Sequence, residues 1–179
     1  EYAVLHVVRD QQSEQTSSEL RFASNETLSE DWDFVVGFYG LQDNYQLEQN
    51  TGIVKVFGPA GQQAQTHTDH HRDSYALFGE ANYNITDVWT LILGGRWTYE
   101  EKDIYADSFG SEADDPLSPV SDVEADHSWE EFTPKIGVDY QYSTDILFYG
   151  IYSEGFRSGG YNARNSSAAD IGPYDPEYV

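Results

Sequence analysis

The sequence contains no cysteine and no methionine, and only 9 Lys and Arg stand against 32 Asp and Glu, a formal net charge of −23. Without cysteine there is no disulfide framework, no thiolate nucleophile and no sulfur-rich metal site. Acidity on this scale repels a phosphate backbone and excludes nucleic acid as a partner. No window of about 18 consecutive apolar residues occurs, which excludes a transmembrane helix. It leaves open a membrane β-barrel, whose signal per segment is far weaker. The missing methionine, with Glu1 opening in what reads as mid-strand, leads us to expect a piece of a longer product. There is no Gly-x-Ser-x-Gly elbow and no phosphate loop. The adjacent carboxylates Glu100-Glu101 and Glu130-Glu131 would point to opposite faces of a strand, so neither pair can work as acid and base together. We expect neither an enzyme nor a cofactor.

What the chain does have is aromatic residues, 15% of the total with 14 Tyr. A disordered acidic chain would be poor in them. They sit in alternating runs. From Trp129 to Tyr142, Phe132, Ile136, Val138, Tyr140 and Tyr142 share one face with Pro134. Glu131, Thr133, Lys135, Asp139 and Gln141 share the other. This is the period of a strand with one apolar and one wet face. Ser143-Thr144-Asp145 turns the chain, and alternation resumes at Leu147, Tyr149 and Ile151. The same reading gives strands at Glu1 to Asp10, Ser17 to Ser24, Trp32 to Tyr45, Ser74 to Thr86 and Trp89 to Lys102, about seven in all. The phase of the Trp32 strand is ambiguous, because Phe34, Val35, Val36, Phe38 and Tyr39 break clean alternation. Leu91, Leu93, Ile136, Val138, Leu147 and Ile151 are expected to form one apolar stripe.

The connections alternate in length. Short turns are expected at Asn25 to Asp31, at Thr86-Asp87 and at Ser143 to Asp145, and long polar loops at Gln46 to Arg72, Asp103 to His127 and Ser158 to Tyr178. Gln11 to Thr16 is the one connection that looks too short for its side. Antiparallel neighbours put successive connections on opposite ends, and outer-membrane barrels place short turns at one end and long loops at the other. A soluble sandwich has no reason to obey that parity. Tyr83, Trp89, Tyr140 and Tyr142 lie beside the short turns, and Trp97, Tyr99 and Trp129 toward the long loops, as two interfacial girdles would require.

Two stretches carry a family resemblance. GFRSGGYN (Gly155 to Asn162), preceded by LFYGIYSE, and TPKIGVDYQ (Thr133 to Gln141) resemble segments of TonB-dependent outer-membrane receptors; SSELRFAS (Ser17 to Ser24) resembles another of their strands. The resemblance implies an all-β, antiparallel transmembrane barrel of about 22 strands with a plugged lumen, of which residues 1–179 would be a part. It implies outer-membrane lipid around the barrel and energy-coupled import of a siderophore or other large nutrient. A TonB-type protein would couple through an N-terminal box absent here, as are the plug and the terminal strand. A porin-like channel without a plug and a secreted all-β binding module are the rival readings.

Few residues stand out as ligand contacts. Arg157 and Tyr161 beside the glycine patch, and Arg96 on a polar face, suit anionic or ring-bearing cargo. His67, His70 and His71 could supply imidazoles to a metal, though a polar loop is ordinarily solvated. Asp103, Asp107, Glu112, Asp114, Asp115, Asp122, Glu124 and Asp126 lack the spacing of a calcium loop.

Overall fold

The computed structural model describes residues 3–24, 31–55, 63–110, 122–162 and 171–179. Five long strands and a shorter sixth form a single curled antiparallel sheet in chain order: β1 (Ala3–Ala23), β2 (Trp32–Lys55), β3 (Gln63–Thr86), β4 (Trp89–Gly110), β5 (Val123–Ser143) and β6 (Ile146–Ser153). Two short strands, β7 (Phe156–Arg157) and β8 (Glu177–Tyr178), pair separately. All-β architecture with antiparallel neighbours is therefore as the alternation predicts.

The long strands are longer than the sequence suggests. The stretch Gln11 to Thr16, read as a loop, is continuous strand paired with Gln42 to Leu47, so two expected strands are one. Much of Gln46 to Arg72, and of Asp103 to His127, is also strand. The acidic run Glu112 to Asp115 lies outside the described residues. Strands of 21 to 24 residues are about twice the 9–11 that cross a bilayer. In β2 to β5 the largely polar upper halves form an extension beyond the apolar band; the upper end of β1 carries exposed Val4, Leu5, Val7 and Val8 instead.

Two of the three turns expected to be short are tight, though the 24–31 connection between β1 and β2 is as long as the 56–62 connection between β2 and β3 that was expected to be a long loop. At the lower end, the Thr86 hydroxyl accepts hydrogen bonds from the Val88 and Trp89 amides at 3.3 and 3.1 Å, closing β3 onto β4. A bulge between Asn84 and Thr86 tightens that turn. Thr144-Asp145 joins β5 to β6.

Register fixes which side chains share a face. Leu20, Phe38, Leu77, Trp97 and Phe132 follow one another across five strands. They lie on the convex face and stay exposed, Leu20 at 75% and Leu77 at 60%. The ambiguous phase of β2 resolves here: Phe34, Val36 and Phe38 are on the convex face with Ala81, Gly79 and Leu77, while Val35, Gly37 and Tyr39 are concave. Along the lower rim Trp32 stacks on Tyr83 and Trp89 on Tyr140, each with ring centroids 4.4 Å apart. Tyr142 and Phe148 continue the row. Tyr75, Tyr99 and Trp97 mark the upper rim.

Two assignments of face differ from expectation. Leu147 and Ile151 pair with Gln141 and Gly137, which places them on the concave face; Phe148 and Tyr152 take the convex one beside Tyr140 and Ile136. Both faces of β6 are apolar, so alternation alone could not set its phase. Trp129 likewise points inward, 9% exposed, and belongs to a buried cluster instead of a girdle.

Candidate functional site

The concave face has two levels. At the level of the apolar band it carries a cation and aromatic ladder. The Arg96 guanidinium lies 5.6 Å from the Tyr39 ring and 5.8 Å from that of Phe78. Arg21 approaches Phe78 from the other side at 5.8 Å and pairs with Glu19. Phe78 can lie flat against β2 because its partner is Gly37, where any Cβ would overlap the ring. Among the described residues no carboxylate reaches Arg96, whose Nε donates to the Thr98 hydroxyl at 3.1 Å. Lys135 pairs with Glu80 at 2.7 Å. These side chains line a cavity of about 380 Å³ with Arg21, Gly94 and Glu154.

Above the band the concave face is covered. Of the stretch expected to be a long loop from Ser158, the described arms, Gly155 to Asn162 and Ile171 to Val179, fold inward and pair as a hairpin instead. Gly155 and Val179 exchange backbone hydrogen bonds at 2.8 and 3.0 Å, Gly160 accepts from the Tyr174 amide at 2.9 Å, and Ile171 accepts from that of Asn162 at 2.6 Å. The hairpin packs Tyr161 and Ile171 against Ile104, Ala106 and Trp129 of the sheet. A polar clamp fastens it. Lys102 Nζ donates to Ser158 Oγ at 2.8 Å and to the Gly159 carbonyl at 2.6 Å, and lies 3.0 Å from Glu100 Oε1. Ser158 Oγ donates to that same carboxylate oxygen at 2.5 Å. Burial alone would push the Glu100 carboxyl up, but the Ser158 hydroxyl and the Lys102 ammonium more than offset it and hold it below the ordinary range. The clamp is therefore a neutral ion pair with its hydrogen bonds filled, the arrangement that a half-buried charge requires.

The residues singled out from sequence fall apart in space. Arg96 sits in the ladder. Arg157 is on β7, largely exposed, 3.6 Å from Glu177. Tyr161, on the hairpin, is buried against the sheet, and its hydroxyl has no hydrogen-bond partner among the described residues. Burial, then the nearby Asp126 and Asp103 charges, pushes its phenol up. His67, His70 and His71 lie on β3, where alternation sends His70 to the concave face and the other two to the convex face. His67 bonds Asp69 at 3.0 Å, and His71 bonds Asn44 at 2.6 Å and Asp73 at 3.2 Å. The three do not converge, and among the described residues no group of three or more His, Asp or Glu is placed to hold an ion. Lys102, Glu100 and Ser158 escaped the sequence reading because their spacing of 56 and 58 residues is a product of the fold. Only the rarity of basic residues pointed toward Lys102.

A family model described as TonB dependent receptor-like, beta-barrel, matches residues 3–179. The chain belongs to this family. The architecture agrees with that of the ferric yersiniabactin uptake receptor FyuA from Yersinia pestis, at a TM-score of 0.77 and 17% identity. The match covers 97% of this chain and 26% of FyuA, so the chain spans about a quarter of that receptor. As a TonB-dependent receptor barrel, the protein is placed in the outer membrane. Its convex apolar band is then the lipid-facing surface between aromatic rims, and its concave face the lumen wall. A secreted soluble module is excluded.

Proposed function

We propose that the chain is one section of a closed barrel of about 22 strands that imports a large nutrient, a ferric siderophore or similar iron complex, with energy supplied through a TonB-type partner. The plug and TonB box belong to other parts of such a receptor. The observation that carries the reading is the family match over residues 3–179, joined to an open six-stranded sheet with a lipid-type convex face. An open sheet leaves β1 and β6 with unpaired edges, which lipid does not tolerate. The aromatic and cationic lumen wall suits a bulky anionic complex. Arg96 and Arg157 are the cations we assign to cargo contact, and Tyr161 serves that surface from beneath.

Growth on ferric siderophores as sole iron source tests the proposal. Cells relying on the intact receptor should grow on at least one of a catecholate, a hydroxamate and a phenolate complex, and growth should vanish when TonB is deleted. Growth that survives the deletion would identify a plugless channel. No growth on any complex, with normal barrel assembly, would point to cargo other than iron.

A further inference from the structure

We infer that Lys102 is a positioning residue: it seats the inward hairpin, whose described arms are Gly155 to Asn162 and Ile171 to Val179, against the lumen wall and so fixes where Arg157 and the glycine patch stand in the lumen. The use of that position for cargo rests on the receptor reading above; the seating itself does not.

The geometry is specific. Lys102 rises from the concave face of β4 and meets the hairpin at two adjacent residues, a hydroxyl and a backbone carbonyl. Its ammonium also lies 5.5 Å from the Trp129 ring, so its apolar stem and its charge are both used. Glu100 balances the charge of Lys102 and accepts the hydrogen bond of the Ser158 hydroxyl. The hairpin contributes fit at the same point. A Cβ on Gly159 would lie 2.8 Å from the Trp129 ring and would overlap the Tyr174 carbonyl, a backbone atom that cannot swing away. The glycine patch is thus where the hairpin lies flush on the wall beside the lysine. A cavity of about 240 Å³ remains between hairpin and sheet, lined by Asp43, Tyr45, His70, Arg72, Lys102 and Tyr174.

The test uses the full receptor with any other cysteine replaced. Ile171 is 1% exposed beneath the hairpin, and Ile171→Cys reports seating by its reaction with a membrane-impermeant maleimide. Lys102→Met keeps the stem and removes the donors. Combining it with Glu100→Gln avoids leaving a lone buried carboxylate. Gly159→Ala perturbs the hairpin side: the added Cβ meets the Tyr174 carbonyl of the hairpin itself and the Trp129 ring of β5, and it changes no residue of the six sheet strands. Labelling should accelerate about tenfold or more in the double variant, the effect of losing one charge-assisted hydrogen bond, and should also accelerate in Gly159→Ala, where the added Cβ overlaps the Tyr174 carbonyl and the Trp129 ring, while the barrel keeps its heat-resistant migration. Unchanged labelling in both, with the barrel intact, would overturn the inference. Loss of the folded barrel in Gly159→Ala would also overturn it, because the hairpin would then be part of the barrel's own stability. The functional arm uses the ferric complex that supports growth. Its half-saturating concentration should rise about tenfold in the double variant with the maximal rate retained; an unchanged value alongside faster labelling would separate seating from cargo. If the unsubstituted receptor takes up no complex while Ile171→Cys stays protected, the receptor reading fails and the seating stands.

Discussion

In β2 to β5 the two halves of each strand live in different media, and their sequences record it; β1 differs, its upper end carrying exposed Val4, Leu5, Val7 and Val8. On β3 the lower half, Tyr75 to Thr86, alternates between apolar and polar, while the upper half, Gln63 to Ser74, is polar on both faces. Yet the hydrogen-bonded ladder runs unbroken from Ala64 to Asn84 against β4. Alternation is therefore a signature of two unlike surroundings, lipid on one side and lumen on the other, and is no requirement of strand pairing itself. Where the outer face meets water instead of lipid, the pattern disappears and the strand continues. The chemistry divides at the same level. The lower half holds the cation and aromatic ladder. The upper half holds all five histidines and the clamp.

The sharpest way to break this division is topological. Gln46→Cys, exposed on the extension, should react with an impermeant label in intact cells, while Asp87→Cys and Thr144→Cys at the short turns should stay silent until the membrane is opened. Reaction at Thr144 with Gln46 silent would invert the orientation.

Next in size is the cost of a cation on the convex face. Leu93→Arg, mid-band and 42% exposed to lipid, should destabilise the barrel by about 2–4 kcal/mol in a urea titration from vesicles. Gln65→Arg, in the extension, should stay within about 0.5 kcal/mol. Similar costs at the two positions would show that the extension, too, is embedded.

A smaller effect tests the packing of the concave ladder. Gly37→Ala puts a methyl into the Phe78 ring, and displacing that ring from between Arg21 and Arg96 should cost about 1–3 kcal/mol, as overpacking generally does. Gly150→Ala meets nothing within 4 Å and should be near neutral. Equal values at both glycines would mean that Phe78 moves freely and the ladder contributes nothing.

The same division explains what the sequence made legible. Phe132 to Tyr142 announced strand, face and girdle together, because lipid demands an apolar residue at every second position. The tight turns near Asp87 and Thr144 were legible, but the contrast of short and long connections was not general: residues 56–62 between β2 and β3 are no more than the 24–31 between β1 and β2. The extension was missed because Gln11 to Thr16 and Gln46 to Arg72 have loop composition; only cross-strand pairing distinguishes them. Leu147 and Ile151 were misplaced because Phe148 and Tyr152 are equally apolar. Of the candidate contacts, Arg96 could be put on the polar face from phase alone. The hairpin could not be foreseen, since its clamp joins residues far apart in the chain whose types are those of ordinary surface positions.

The last and smallest effect concerns pH and the upper half alone. His70 points to the concave face, where burial, and then the Lys102 charge, lower its pKa below the ordinary 6.5, with Asp69 pulling weakly the other way. Above that value folded and unfolded chains both hold a neutral imidazole, so there is no dependence. As the pH falls through 6.5, the unfolded chain takes up a proton that folded His70 still refuses. Stability must then decrease with falling pH, and the decrease ends once the pH is below the folded value. The surroundings that matter are Asp69, Lys102 and Tyr45, whose ring lies 5.9 Å away. Hydrogen exchange of the upper β3 amides, measured about one unit above and one unit below the ordinary histidine value, should show faster opening on the acid side. His70→Gln, which cannot titrate, should remove that part of the difference and leave the amides of Tyr75 to Tyr83 unaffected. The same acid response in His70→Gln as in the unsubstituted protein would assign it to other groups of the extension. A response spread equally into the lower half would show that the two halves open together, and would dissolve the division between them.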